Sequence, residues 1–217
     1  MPTVLIVDDN AELIQFYILI LTGGGYQVYS AGNGEQCFSL LETITPDLIL
    51  LDIMMEPMDL WEVLSRIRRN NRTAGVPVTM VSGKKPTHDE TLHYMEMIDD
   101  YRVKPLSVKG LKAIVTDFLT FRDAIDREIS QAERGGASKQ VLAEYRGLKR
   151  SFASGTTMVR LFETADEEIS TRIKAKEKRL KELQGGVWGA CMSPFLIGTR
   201  GYRPGGRNCP VSGGCWP

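Results

Sequence analysis

The segment Val4-Leu5-Ile6-Val7-Asp8-Asp9 carries the most information about this chain, because an apolar run of strand length ends there in two acidic residues. A near-continuous apolar run is typical of a parallel strand that is buried on both faces. A second run, over residues 48–51, ends in the same way at Asp52. The two runs predict buried parallel strands, each closed by carboxylates.

Two further segments fit the same pattern with different polar ends. Residues 76–81 run into Ser82, and a short fourth segment ends at Lys104 followed by Pro105. The carboxyl ends of strands in an open parallel sheet share one edge, where ligands bind. We therefore expect the acidic residues, the hydroxyl and the amine to converge although they are far apart in sequence.

Crowded carboxylates repel one another and raise one another's pKa. A divalent cation relieves this repulsion, and a set of oxygen-only ligands is typical of Mg²⁺. The sequence thus predicts a magnesium site formed by Asp8, Asp9 and Asp52.

These motifs, in this order, resemble the response-regulator receiver domain, the phospho-acceptor half of two-component signalling. The resemblance covers about residues 1–120. It implies an α/β fold, a flavodoxin-like, doubly wound, five-stranded parallel sheet in the order 2-1-3-4-5. It also implies that Asp52 accepts a phosphoryl group, and that Asp8, Asp9, Asp52 and the backbone carbonyl of Met54 hold Mg²⁺.

The resemblance assigns four further positions. Lys104 is expected to pair with the acyl phosphate, and Ser82 to bond a phosphoryl oxygen. Tyr101 matches the aromatic residue that changes rotamer with the phosphorylation state. Pro105 matches a proline that follows a cis peptide bond in the family, and it belongs with the predicted partner-docking residues.

The first predicted helix, Ala11–Thr22, is unusually apolar. One interpretation places Leu13, Phe16, Tyr17 and Ile20 against the sheet and leaves Ile14, Ile18 and Leu21 outward. Ile14 and Ile18 would then form a partner-docking surface, since exposed apolar stripes mark interaction sites. The resemblance implies that the partner bound by this helix is a sensor kinase. The other interpretation is a shifted helix face, or burial of the stripe against the C-terminal extension.

The strand pattern ends near Thr120. We expect a receiver domain over residues 1–120 and an all-helical extension over residues 121–184. Within the extension, residues 151–157 are predicted to form a weak hinge, with a further helix from Met158 onward. The tail, residues 185–217, is rich in Gly and Pro, contains Cys191, Cys209 and Cys215, and is expected to be disordered.

Charge and composition narrow the classes of function. The formal net charge of +0 argues against broad binding to nucleic acid or to an anionic membrane. A basic run over residues 174–181 is interspersed with glutamates and reads as a solvated helix face. No apolar stretch reaches the ~20 residues of a membrane span, and no secretory signal pattern is visible, so a cytoplasmic location is expected.

The sequence therefore predicts a response regulator that accepts phosphate from a sensor histidine kinase or a phosphotransfer protein. It would signal to a protein partner or to its own helical extension, without a separate catalytic output beyond slow autophosphatase activity. Two alternatives remain open. One is a DNA-binding transcriptional regulator with an atypical helical output. The other is a stand-alone phosphate sink or shuttle, whose extension only forms a homodimer or binds a kinase.

Overall fold

A computed structural model describes residues 1–55, 60–94, 96–161 and 167–187. Five strands lie at Thr3–Val7 (β1), Gln27–Ala31 (β2), Leu48–Asp52 (β3), Val78–Ser82 (β4) and Asp100–Val103 (β5). The helices of the first half lie at Ala11–Thr22 (α1), Gly34–Thr43 (α2), Leu60–Arg69 (α3) and His88–Tyr94 (α4). Three longer helices follow at Val108–Arg134 (α5), Lys139–Leu161 (α6) and Glu167–Val187 (α7).

The strands form one parallel sheet in the order β2-β1-β3-β4-β5. Every residue of β3 and of β4 is buried, as the apolar runs predicted. Helices cover both faces, which is the doubly wound arrangement predicted for this sequence. The order 2-1-3-4-5 is also confirmed.

Alternating strand residues supply two separate cores, one on each face of the sheet. The first core combines β-strand residues with α2 and α3, and it includes Leu51, Val63, Leu64 and Tyr101. The second core combines the opposite strand residues with α1 and α5, and it includes Ile6, Tyr17, Leu21 and Ile114. Both cores hold the strand ends in fixed register, which positions the side chains at the carboxyl edge.

Polar caps set the starts of the helices. The side chain of Asn10 accepts a hydrogen bond from the Leu13 amide at 3.0 Å and begins α1. Ser107 caps α5 in the same way, through the Gly110 amide at 3.0 Å. The chain leaves α1 through three glycines, of which Gly25 has φ +84°, a conformation that favours glycine.

The predicted outward face of α1 was wrong. Ile14, Tyr17 and Leu21 are buried and Ile18 is half-buried, whereas Phe16 is 42% exposed and Leu19 is 74% exposed. Apolar residues occupy nearly every position of α1, so periodicity could not indicate which side faces the sheet. The shifted helix face, the other interpretation of this sequence, is the correct one.

The C-terminal half is helical, as predicted, but its breaks differ from the prediction. Helix α5 passes residue 120 without interruption, and α6 continues through residues 151–157, where we expected a hinge. Gly155 is buried within α6, so this glycine packs inside a helix instead of ending it. Helix α7 includes residues 185–187 of the predicted tail, and the disorder predicted for the remaining tail lies outside the described residues.

Helices α6 and α7 pack together as a hairpin, hereafter the α6–α7 hairpin. Its core is a cluster with the end of α5, formed by Ala132, Leu142, Tyr145, Leu180 and Leu183. The Tyr145 hydroxyl donates a hydrogen bond to Glu128 at 2.7 Å and accepts one from Gln184 at 3.1 Å. The hairpin therefore has a small core of its own that continues from α5.

Candidate functional site

The carboxyl edge of the sheet brings together the side chains that the sequence singled out. Asp8 and Asp9 follow β1, Asp52 ends β3, Ser82 ends β4 and Lys104 follows β5. Because β1, β3, β4 and β5 are neighbours in the sheet, these strand ends lie side by side. Carboxylate oxygens of Asp8, Asp9 and Asp52 all lie within 4.8 Å of one another.

Two of the three carboxylates are buried and held by backbone amides. Asp8 is 3% exposed and Asp52 is 5% exposed, whereas Asp9 is exposed. Asp8 Oδ1 accepts a hydrogen bond from the Asn10 amide at 2.9 Å. Asp52 Oδ1 accepts from the Ile53 amide at 2.7 Å and from the Met54 amide at 3.3 Å. The Asp52 carboxylate is thus fixed in orientation by its own loop.

Lys104 joins the two buried carboxylates. Its ammonium donates to Asp8 Oδ2 at 2.7 Å and to Asp52 Oδ2 at 2.8 Å. Burial by itself disfavours the charged form of Lys104, but hydrogen bonds and charge from Asp52 and Asp8 outweigh it and raise the lysine pKa. Within the described residues, Lys104 is the only cation that forms an ion pair with this cluster of three carboxylates.

This donor set fits a divalent metal ion. Three carboxylates with one ammonium leave an excess of negative charge, and hard oxygen ligands with open positions are typical of Mg²⁺. Asp8, Asp9 and Asp52 are the side chains that could hold it. The Met54 amide is hydrogen-bonded to Asp52, which places Met54 at the site. The role of the Met54 carbonyl as a further metal ligand stays a prediction.

Ser82, Lys84 and Tyr101 form a connected set next to the acidic cluster. The Ser82 hydroxyl is fully buried and accepts a hydrogen bond from the Lys84 amide at 3.2 Å. Tyr101 is 1% exposed, and its hydroxyl donates to the Lys84 carbonyl at 2.7 Å. Burial raises the pKa of Tyr101, a hydrogen bond with Ser82 lowers it, and the charges of Glu90 and Asp52 raise it, with a net increase. The Tyr101 side chain therefore points inward from β5, and its hydroxyl contacts the loop that follows Ser82.

Tyr17 is a neighbour of the site that the sequence did not reveal. It is 2% exposed, and its hydroxyl has no hydrogen-bond partner within the described residues. Burial raises its pKa, the Lys104 charge lowers it, and the Asp8 and Asp52 charges raise it, with a net increase. Side chains on a helix lean toward its N-terminus, which here is the site edge. A single tyrosine in an apolar run gave no signal of this placement.

The predicted docking residues have different environments. Pro105 is exposed and follows a cis peptide bond after Lys104, as the resemblance implied. Ile14 lies in the core with 8% exposure, so it does not form the outward surface we expected. Phe16 and Leu19 are the exposed apolar residues of α1.

Comparison with known proteins agrees with this geometry. The profile of the response regulator receiver domain matches residues 4–116, which is half of the chain. The chain belongs to the response regulator receiver family. It therefore contains a receiver domain of two-component signalling.

Relatives and solved structures place the family match in context. The DNA-binding dual master transcriptional regulator RpaA of Synechocystis is 33% identical over 133 residues, covering 61% of this chain and 55% of the relative. The DNA-binding response regulator MtrA of Mycobacterium tuberculosis is 35% identical over 112 residues, covering 52% and 48%. A CheY-like receiver protein of Methanospirillum hungatei shares the fold, with a TM-score of 0.53, 23% identity, and coverage of 57% of this chain and 98% of that chain.

The chain matches only about half the length of these two curated relatives. Both are named as DNA-binding regulators, so the comparisons give no support to our expectation that nucleic acid is not a partner. In the part of the chain that the structure describes, no helix is both long and apolar enough to cross a membrane.

Proposed function

We propose that this receiver accepts a phosphoryl group on Asp52 in a Mg²⁺-dependent transfer from a phosphohistidine donor. The observation that supports this most directly is the convergence of three carboxylates within 4.8 Å, with Lys104 bonded to two of them. In the transfer, the P–N bond of the donor breaks and a P–O bond to the Asp52 carboxylate forms. The imidazole leaves with the electron pair of the broken bond.

Each residue has a defined part in this proposal. The amides of Ile53 and Met54 orient the Asp52 carboxylate before the donor arrives. Lys104 already lies at 2.8 Å from Asp52 and can turn its ammonium to the phosphoryl oxygens. Ser82 supplies a hydroxyl donor. Bound Mg²⁺ would neutralise charge on the transferring oxygens.

Intact mass spectrometry after incubation with acetyl phosphate and Mg²⁺ tests this proposal. We expect one added phosphoryl group on the wild type and on Asp117→Asn, a matched variant of an exposed aspartate. We expect none on Asp52→Asn, and none on the wild type in the presence of a chelator. Phosphorylation of Asp52→Asn at the wild-type level would overturn the assignment.

We further propose that a sensor histidine kinase or phosphotransfer protein docks on the exposed apolar residues of α1 together with Pro105. Phe16 and Leu19 replace the predicted Ile14 and Ile18, because they are the exposed ones. Leu19→Lys should slow transfer from a phosphohistidine donor but leave labelling by acetyl phosphate unchanged. Unchanged transfer from the protein donor would exclude this docking surface. A cytoplasmic location and the lack of a separate catalytic output remain part of the proposal.

A second candidate is a DNA-binding regulator, which the names of the relatives favour. The basic run of α7 is a poor candidate for a DNA contact, because three of its cations are already paired with glutamates. The pairs are Lys176 with Glu96, Arg179 with Glu144, and Lys181 with Glu177. A salt-dependent gel shift on duplex DNA distinguishes the candidates, since phosphate contacts weaken steeply as salt rises.

A further inference from the structure

A cleft lies between β5, α5 and α6, where the C-terminal extension packs against the edge strand of the receiver. Its volume of about 150 Å³ is enough for one small ring but not for a drug-sized molecule. All three elements contribute side chains to its lining. These include Asp100 and Arg102 of β5, Asp117, Phe118 and Phe121 of α5, and Ala153 of α6.

Arg150 holds α6 beside β5 and so forms one wall of the cleft. It forms an ion pair with Asp99 at 2.6 Å, and its guanidinium donates to the carbonyls of Ala74 and Gly75 at 2.8 and 2.7 Å. Arg68 of α3 donates to the other Asp99 oxygen at 2.9 Å. Asp99 also lines the cleft, but both of its oxygens are paired with arginines and do not need a further cation.

Asp100, the next residue, has one paired carboxylate oxygen and one unpaired oxygen. Its Oδ2 accepts a hydrogen bond from Arg102 Nε at 2.6 Å. Its Oδ1 is buried without a hydrogen-bond partner, and the residue is only 3% exposed. Within the described residues, this is the only buried carboxylate oxygen that lacks a partner. Buried polar atoms are normally hydrogen-bonded, so Oδ1 is an open acceptor in the wall of the cleft.

The Asp100 carboxylate is incompletely stabilised by its surroundings. Burial raises its pKa, and the charge and hydrogen bond of Arg102 offset this only in part, with smaller contributions from the Tyr101 amide and the Thr157 hydroxyl. Neither of these last two groups forms a hydrogen bond of ordinary geometry with Oδ1. A further donor at Oδ1 would therefore be favourable, and more so if it carried positive charge.

The rest of the cleft favours a cation with an apolar body. Asp117 is an exposed residue of the lining and adds a second negative charge, whereas the positive charge of Arg102 is already bonded to Asp100. Phe118 and Phe121 contribute aromatic surface, which attracts cations. Ala153 has a small side chain that leaves the α6 side of the cleft open.

We propose that this cleft binds a small organic cation, which donates N–H groups to Asp100 Oδ1 and packs its apolar part against Phe118 and Phe121. The class that fits is an amidinium or guanidinium group on a small ring or short chain. The site is distinct from the candidate phosphorylation site, because Asp100 is the first residue of β5 and Lys104 follows its last residue. The inference therefore does not depend on phosphorylation of Asp52.

The alternative occupant of the cleft is water, which can also donate a hydrogen bond to Oδ1. Benzamidine separates the two cases, because it is a planar cation at neutral pH and is about the size of the cleft. Benzamide has nearly the same shape without the charge. A cleft that selects a cation discriminates between these two molecules, whereas a cleft that holds only water binds neither.

Titration of each compound into the full chain, followed by the amide chemical shifts in nuclear magnetic resonance, tests the proposal. We expect saturable shifts with benzamidine around residues 99–102, 117–121 and 153–157, and none with benzamide. Asp100→Asn should weaken binding about tenfold or more, the lower range for a lost charged hydrogen bond. Glu133→Gln removes an exposed carboxylate at the C-terminal end of α5 and should bind as the wild type does.

A second variant tests the cleft without changing its charge. Ala153→Leu fills the α6 side of the cleft and should abolish the shifts. Binding of benzamidine that is unchanged in both Asp100→Asn and Ala153→Leu would place the compound elsewhere and overturn the proposal. Equal binding of benzamidine and benzamide, or no saturable shift in the wild type, would also overturn it. The proposed phosphoryl-acceptor function stands in each of these cases.

Discussion

Two charged clusters that contain buried carboxylates lie at opposite ends of the same parallel sheet, and they differ in net charge. At the carboxyl edge, Asp8, Asp9 and Asp52 share one ammonium, that of Lys104. At the amino end, the single carboxylate of Asp99 is held by two guanidinium groups and a backbone amide. The carboxylates of both clusters lie at strand ends, but only those of the carboxyl edge carry an excess of negative charge that can attract a ligand.

The difference separates a functional cluster from a structural one. A buried charge is costly unless it is paired and hydrogen-bonded, so a folded chain normally completes such pairs, as it does at Asp99. The carboxyl edge departs from this rule within the described residues. A divalent cation would relieve the excess negative charge of the three carboxylates, and that is why we place the function at this edge.

The largest effect should come from the amino end, where the Asp99 carboxylate is paired with two arginines. Asp99→Ala leaves Arg68 and Arg150 buried without a counter-charge, which should lower the free energy of unfolding by about 3–5 kcal/mol. Urea unfolding measures this change. Asp117→Ala, at an exposed position, should stay within about 0.5 kcal/mol of the wild type. Equal stabilities of the two variants would show that the ion pairs of Asp99 with Arg68 and Arg150 do not stabilise the fold.

The next largest change in stability should come from the acidic cluster at the carboxyl edge. Lys104→Met removes the ammonium from Asp8 and Asp52 and should destabilise the metal-free protein by about 2–3 kcal/mol, the range for charged hydrogen bonds. Mg²⁺ should recover most of this loss, because it neutralises the same carboxylates. Unfolding curves in chelator and in Mg²⁺ make the comparison. A loss that Mg²⁺ leaves unchanged would contradict a metal role for this edge.

Much of this contrast could be predicted from the sequence. Asp8, Asp52 and Ser82 each end an apolar run, and Lys104 ends a short segment before Pro105, so local patterns predicted these four residues. The amino-end cluster has no such signal, because Arg68, Asp99 and Arg150 come from three elements joined only by the tertiary fold. The face of α1 was mispredicted because its apolar residues surround the helix, and residues 151–157 were mispredicted because packing outweighs a glycine in a long helix.

A smaller effect should sharpen the role of Arg150. Arg150→Gln removes the anchor of α6 but leaves Asp99 paired with Arg68, so the free energy of unfolding should fall by about 1–2 kcal/mol. Arg146→Gln is the matched control, since Arg146 pairs with Asp126 inside the extension at 2.8 Å. Limited proteolysis should cut α6 faster in Arg150→Gln than in Arg146→Gln. Equal cleavage would show that Arg150 does not anchor α6 to the receiver.

The smallest effect should be a change of the free energy of unfolding with pH, caused by the contact of Glu96 with Ser151 and Lys176. Burial raises the pKa of Glu96, but hydrogen bonds from Lys176 and Ser151 outweigh it and lower the pKa below its ordinary value of 4.5. The contribution of Glu96 to stability is therefore complete above about pH 4.5 and is lost as pH falls through the lowered pKa. The difference in unfolding free energy between wild type and Glu96→Gln should shrink in that acidic range. A difference that stays constant there would exclude the charged contact.

Calorimetric titration of Mg²⁺ into the wild type, Asp9→Asn and Asp117→Asn tests the central claim most directly, because it asks whether the excess negative charge at the carboxyl edge binds a cation. Asp9 is exposed and forms no ion pair within the described residues, so its replacement removes charge while leaving the Lys104 bonds intact. We predict one site in the wild type and in Asp117→Asn, and a loss of binding in Asp9→Asn. Equal binding by all three proteins, or none by the wild type, would contradict the account.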